Sequence, residues 1–246
     1  MSTWIQTFTG ELFPLDAFDS RKIWLADIAH HLSLVCRFNG AVRLFYSVAQ
    51  HSVLASRLVP AEHALEALLH DAAEAYLSDL NRPAKSLVPG YDALEKRLEA
   101  KVAERFALAW PWHKEIRKVD NVLLVTEARD LLGHPPSWIG DFDEAPLEER
   151  IVPWTAYASE QAFLERFSEL WRERYRETGP SDVGLYRPRS DSTKPPHAGV
   201  DISGTSGSYA YNQANGTIGP VKRLATIQAA DIETNDLPTL LPEPLD

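Results

Sequence analysis

A histidine and an aspartate stand side by side in an apolar stretch, LLHDAAEAYLSDL, and this doublet constrains the chain more than any other feature. Leu65, Leu68, Leu69, Ala72, Ala73 and Leu77 recur with the period of an amphipathic helix, so His70 and Asp71 are expected inside one. Charged groups need a partner in such a setting, because burying an unpaired charge is costly. A divalent metal would satisfy both residues at once. Three further positions fit that idea: His51 in AQHSVLAS, Asp120 in KVDNVLLVTEARDL, and Glu74 one turn beyond His70. Taken singly, His51 reads as a core histidine bonded to a carbonyl, Asp120 as a carboxylate near a helix start, and Glu74 as a surface residue. Together with the doublet they read as a metal site.

Periodicity predicts helices over roughly 25–36, 44–59, 62–78, 92–107, 114–133 and 156–176, and the fold class is all-α. Residues 1–24 alternate apolar and polar side chains up to a turn at Gly10, as a short hairpin or an extended arm would. Pro60 and Glu62 suit the start of the third helix. Asp92 with Glu95 forms a capping-box pattern. Gly133 followed by Pro135-Pro136 ends the helix that carries Asp120.

All seven tryptophans lie at or before Trp171, and no phenylalanine follows Phe167. Residues 181–246 hold 7 of the 17 prolines and 6 of the 12 glycines. Such a segment buries too little apolar area to offset its ordering entropy. One domain is therefore expected over 1–180, followed by a largely disordered tail over 181–246. Within the tail, 221–232 is a candidate short helix and 237–245 a candidate partner-binding peptide.

A net charge of −10 argues against a nucleic-acid polymer as partner. Cys36, the single cysteine, permits no intrachain disulfide and reads as a small core residue in a cytoplasmic protein. The sequence has neither a signal-peptide pattern nor a membrane-length apolar run. It also lacks a phosphate-binding G-x-x-x-x-G-K loop and a G-x-S-x-G elbow.

Histidine and carboxylate ligands without cysteine suit Mn, Co, Zn, Fe or Mg. Glu74 could reach a water at such a metal or a second metal, and so could Asp79 at the end of the helix. His30-His31, beside Asp27, is an alternative ligand pair, although one packed and one solvated residue is the simpler reading. His63, His113 and His134 lie near element ends, where exposure is expected.

The set His51, His70-Asp71, Asp120 resembles the H…HD…D signature of the HD-domain metal-dependent phosphohydrolases. DIAHHLSLVCRFNG, FYSVAQHSVLAS and LHDAAEAYLSDLNRPAK look like the subgroup of bacterial 5′-deoxynucleotidases of the YfbR kind. WIQTFTG, CRFNG and FYSVAQHS are most similar to phage dATP triphosphohydrolases of the DatZ kind. The resemblance spans roughly residues 4–133 and implies an HD-domain helical bundle.

It further implies that His51, His70, Asp71 and Asp120 hold a divalent metal (Co, Mn, Zn or Mg). Glu74 and Asp79 would act on the attacking water or on further metals, and Arg37 would contact phosphate. Phe38 stands where the deoxynucleotidases carry a tryptophan. Lys85 falls where a phosphate-binding lysine would serve, and Arg43 and Arg82 are weaker candidates of the same kind. The implied reaction is deoxynucleotide hydrolysis, foremost of dATP to deoxynucleoside and triphosphate. A 5′-deoxynucleotidase acting on monophosphates is the alternative, and a non-catalytic nucleotide-sensing module is a reading of another class. A homo-oligomer and a phage or prophage origin, with action in the host cytoplasm, are also implied.

Truncation after Gly179 is expected to leave the melting temperature of the helical domain unchanged. A large drop would show that the tail packs on it.

Overall fold

Two very short strands open the chain because apolar and polar residues alternate on either side of Gly10, which adopts φ +80° at the turn. Strand β1 (Trp4–Gln6) pairs antiparallel with β2 (Leu12–Pro14), with Ile5 opposite Phe13. The turn between them is clipped to the first helix. Asp27, fully buried, accepts from the Thr9 backbone N–H at 2.7 Å and from its hydroxyl at 3.0 Å.

The computed structural model describes residues 3–134 and 136–176, together with the backbone of 209–212 and 217–220. The first of these segments, with 136–176, is mostly helical. Helices α1 (Leu25–Leu34), α2 (Val48–Leu58), α3 (Ala64–Leu69) and α8 (Ala156–Arg174) pack around a shared core. Ile28, Leu32, Val53, Leu68, Leu69, Phe163 and Phe167 form its centre. Helix α4 (Glu74–Leu77) lies against α1, and α7 (Lys114–Leu131) against α2. Helices α5 (Arg82–Leu87) and α6 (Tyr91–Arg105) stand between them in sequence.

Several boundaries depart from the periodicity. The expected helix over 62–78 is interrupted where the doublet sits. His70 to Ala73 form tight turns, with Ala72 N–H bonded to Leu69 O at 3.0 Å and Glu74 N–H to Asp71 O at 2.9 Å. This i to i+3 pattern is 3₁₀-like, so successive side chains splay wider than in an α-helix. Helix α2 starts at Val48 rather than near 44, because the Ser47 hydroxyl caps it by accepting from Gln50 N–H at 3.1 Å. The Asp92 capping box does not form. Gly90 is the N-cap of α6 in a left-handed conformation, and Glu95 instead pairs with Lys85 at 2.6 Å. Helix α5 was not expected; Asn81 caps it and Pro83 sits in its first turn.

The chain divides into two units, Met1–Arg189 and Ser190–Asp246. In the second, β3 (Tyr209–Asn212) and β4 (Thr217–Pro220) form an antiparallel ribbon, where the sequence reading had no strand. Aromatic and β-branched residues flanking Asn215-Gly216 are a hairpin signal that the overall composition of the segment obscured. The remainder of the expected disordered tail, with the candidate helix over 221–232 and the candidate peptide over 237–245, lies outside the described residues. Among the described residues no helix is long and apolar enough to cross a membrane.

Phe163 is fully buried where α8 meets the core. The Phe163→Ala variant is expected to lose about 3–5 kcal/mol, read as a lower urea midpoint with an unchanged slope.

Candidate metal centre

Helix α2 brings His51 into the interior with no solvent exposure, and the turn after α3 brings His70 beside it. Their rings lie 5.4 Å apart between centroids. Helix α7 contributes Asp120 one and a half turns from its start. His51, His70 and Asp120 each present one ligand atom, all within 4.8 Å of one another. Asp71 borders this trio, with its oxygens 3.2 Å from His70 Nε2 and 3.6 Å from His51 Nε2.

The outer nitrogens show how the rings are oriented. His70 Nδ1 bonds the Ala67 carbonyl at 2.8 Å, so it carries the proton. His51 Nδ1 bonds a Glu127 carboxylate oxygen at 2.6 Å. Both Nε2 atoms then point inward, buried and without a hydrogen-bond partner. His51 Nε2 lies 3.3 Å from Asp120 Oδ1. Two imidazole nitrogens facing carboxylate oxygens make a donor set of the type that divalent metals take. The residues present fit a divalent metal: His51, His70 and Asp120 would hold it, with Asp71 alongside.

Burial and the Arg37 guanidinium push the His51 imidazole down, but Glu127 and Asp120 outweigh them and raise it to about 9. Asp120 responds in the opposite sense. Burial raises its carboxyl, while His51, His70 and Arg37 together hold it well below the usual range.

Glu127 was not singled out in the sequence, yet it is fully buried and accepts three hydrogen bonds. The donors are His51 Nδ1, the Tyr46 hydroxyl at 2.8 Å and Arg37 Nε at 3.0 Å. Its signal was available: Glu127 follows Asp120 by two helical turns in the apolar run LLVTEA, the same pattern that exposed His70-Asp71. Arg37, expected at phosphate, is thereby committed to carboxylates. Besides Glu127, its terminal nitrogens lie 3.5 Å from Asp71 and 4.0 Å from Asp120. Burial pulls its basicity down, but Glu127, Asp71 and Asp120 raise it further, so it stays charged.

Glu74 is buried and Asp79 half-buried, both close to Asp71. Burial, then Asp71 and Asp79, push the Glu74 carboxyl well up, and its Oε2 has no hydrogen-bond partner. Burial raises Asp79 as well, with Arg37 opposing and Asp71 adding to the rise. Ser78, immediately before Asp79, adopts φ 67° and ψ 158°, a region that side chains seldom occupy. The Tyr91 hydroxyl bonds the Leu77 and Ser78 carbonyls at 3.3 and 3.1 Å, supporting this bend. Lys85 sits between Glu95 and Glu74, 4.0 Å from the latter. Glu99, on α6, is pushed up to about 7 by burial, Glu95 and Asp71.

The remaining candidates divide between the edge of the site and positions away from it. Phe38 is half-buried in a left-handed turn with Asn39, its ring 5.8 Å from the Arg37 guanidinium carbon. Arg82 reaches Asp120 Oδ2 at 3.2 Å from the surface, and Arg43 bonds the Asp130 carbonyl. His30 and His31 are both engaged in packing rather than split between core and solvent. His30 stacks on Phe8, and His31 bridges the Phe8 N–H and the Ala75 carbonyl. His63 pairs with Glu66, and His113 caps α7. Cys36 is half-buried rather than in the core, at a bridge that pairs it with Ser47.

No protein-family model matches the chain. It is 39% identical over 170 residues to an uncharacterized Escherichia coli protein, YfdR, covering 68% of this chain and 96% of that one. It is also 35% identical over 144 residues to an uncharacterized protein of Rhodobacter capsulatus, covering 53% of this chain and 74% of the relative.

The His51 shift sets a pH dependence. A folded-state value raised to about 9 adds stability that is complete below the ordinary 6.5 and lost as pH climbs through 9. Metal-free wild-type protein is therefore expected to lose more stability across that window than the His51→Gln variant, read as urea midpoints. Equal slopes for the two proteins would refute the assignment.

Proposed function

The chain belongs to the family of the Escherichia coli protein YfdR, and for this member of it we propose metal-dependent hydrolysis of deoxynucleotides. The observation that carries the reading is the pair of buried Nε2 atoms of His51 and His70, which face carboxylate oxygens of Asp120 and Asp71 at 3.3 and 3.2 Å. A metal held there would supply Lewis acidity, making a nearby water a stronger nucleophile and polarising a phosphoryl oxygen.

The chain's own groups account for the remaining tasks. Glu74 and Asp79 lie close to Asp71 and have carboxyls raised by burial, which suits either to exchange a proton with water. One of them takes the proton of the attacking water. The water oxygen forms a bond to the phosphorus that bears the 5′ oxygen, the bond from phosphorus to that oxygen breaks, and the 5′ oxygen takes up the proton removed from the water and leaves as the deoxynucleoside hydroxyl. Arg37 stays anchored on Glu127 through Nε, so its terminal nitrogens present positive charge beside the ligands. Lys85 and Arg82 add cations at the rim, where the further phosphates of a triphosphate would lie. The favoured substrate is a deoxynucleoside triphosphate, foremost dATP.

The test is product analysis with Co²⁺- or Mn²⁺-loaded protein on the four dNTPs, the matching NTPs and the dNMPs. Deoxynucleoside and triphosphate from dATP are the expected products. Orthophosphate from dNMPs alone would select a 5′-deoxynucleotidase, and metal-bound protein without turnover would select a sensing module. Asp71→Ala is expected to reduce turnover to background while the far-ultraviolet circular dichroism stays helical. Undiminished turnover in that variant would overturn the assignment.

A further inference from the structure

His51 and His70 are oriented by different means. His70 bonds the carbonyl of Ala67, three residues back in its own turn, so local backbone fixes that ring. His51 has its Nδ1 partner 76 positions away in sequence, on a different helix. The partner is a carboxylate rather than a carbonyl, and it has no solvent exposure. It is held in turn from two sides, by the Tyr46 hydroxyl on the oxygen that also faces His51, and by Arg37 Nε on the other oxygen. All three donors come from residues 37–51, whereas the acceptor comes from the helix that also carries Asp120.

We propose that Glu127 is a positioning residue of the metal centre: it turns His51 Nε2 toward Asp120 and fixes Arg37 beside the ligands. The proposal rests on the metal reading above and adds a residue to it. A buried carboxylate does more here than a neutral acceptor would. It strengthens the ring as a ligand by accepting the Nδ1 proton, and it balances a guanidinium that would otherwise draw the ligand carboxylates away from the metal. The two-turn spacing of Asp120 and Glu127 on α7 makes one helix both supply a ligand and aim another. A carboxylate that only neutralised Arg37 would have no need of the 2.6 Å contact to His51.

The experiment uses the full chain, stripped of metal, as wild type and as the variants Glu127→Gln, Glu127→Ala and Tyr46→Phe. Two quantities are read: Co²⁺ affinity by optical titration, and the His51 Nδ1 proton by nuclear magnetic resonance. A short hydrogen bond to a carboxylate places that proton downfield of the backbone amides. Glu127→Gln keeps an acceptor oxygen but loses the charge. Its Co²⁺ affinity is expected to fall by about 10- to 100-fold, with the resonance moved upfield and the melting curve still cooperative. Glu127→Ala is expected to lose the resonance altogether, and Tyr46→Phe to keep it. If the alanine variant does not fold, the glutamine variant decides. Wild-type Co²⁺ affinity in Glu127→Gln, or a resonance unmoved by both substitutions, would overturn the proposal. Failure of the wild type to take up Co²⁺ would instead overturn the metal reading, and the resonance would still report whether Glu127 orients His51.

Discussion

The hydrogen bond between His51 Nδ1 and the Glu127 carboxylate joins α2 to α7, and the rest of the site depends on that junction. Neither partner touches solvent. Breaking such a buried charged pair by removing one member costs about 3–5 kcal/mol in general, because the other is left uncompensated. Tyr46 and Arg37 close the same carboxylate, so the segment between α1 and α2 is tied to α7 as well. These contacts bring Asp120 and His51 to 3.3 Å.

Unbroken helices supply His51, Asp120 and Glu127, and the rest of the site is built where helices break. His70 and Asp71 occupy the tight turns between α3 and α4, Asp79 follows the strained Ser78, and Arg37 precedes the left-handed residues Phe38 and Asn39. An unbroken helix would keep its side chains on a regular spiral, with few of them converging on a point. Tight turns and left-handed residues change that spiral locally, and the apolar core of α1, α2, α3 and α8 holds the breaks in place.

Cations gather at the site despite an acidic chain. Overall the protein carries −10, yet Arg37, Arg82 and Lys85 gather where Asp71, Asp120 and Glu74 converge. Each cation is paired with a carboxylate there, so each has a partner before any phosphate arrives. Lys85 and Arg82 both belong to α5, a helix with no buried residue, so electrostatic contacts rather than apolar packing make up its attachments to the rim.

The sequence by itself determined the helical class, the approximate span of five helices, and His51, His70 and Asp120 as residues that lie close together. Period and buried charge are local signals, and each can be read within a few turns of chain. The tertiary structure decided the rest. It broke the helix at the doublet, because i to i+3 bonding depends on what the flanking turns pack against. It turned Arg37 onto carboxylates, although the sequence places it only at the end of a helix. It also brought Glu127 to His51 across 76 residues, a contact that no local period encodes. A ligand's identity is written in residue type, but its orientation is set by whatever acceptor the fold delivers to its far nitrogen.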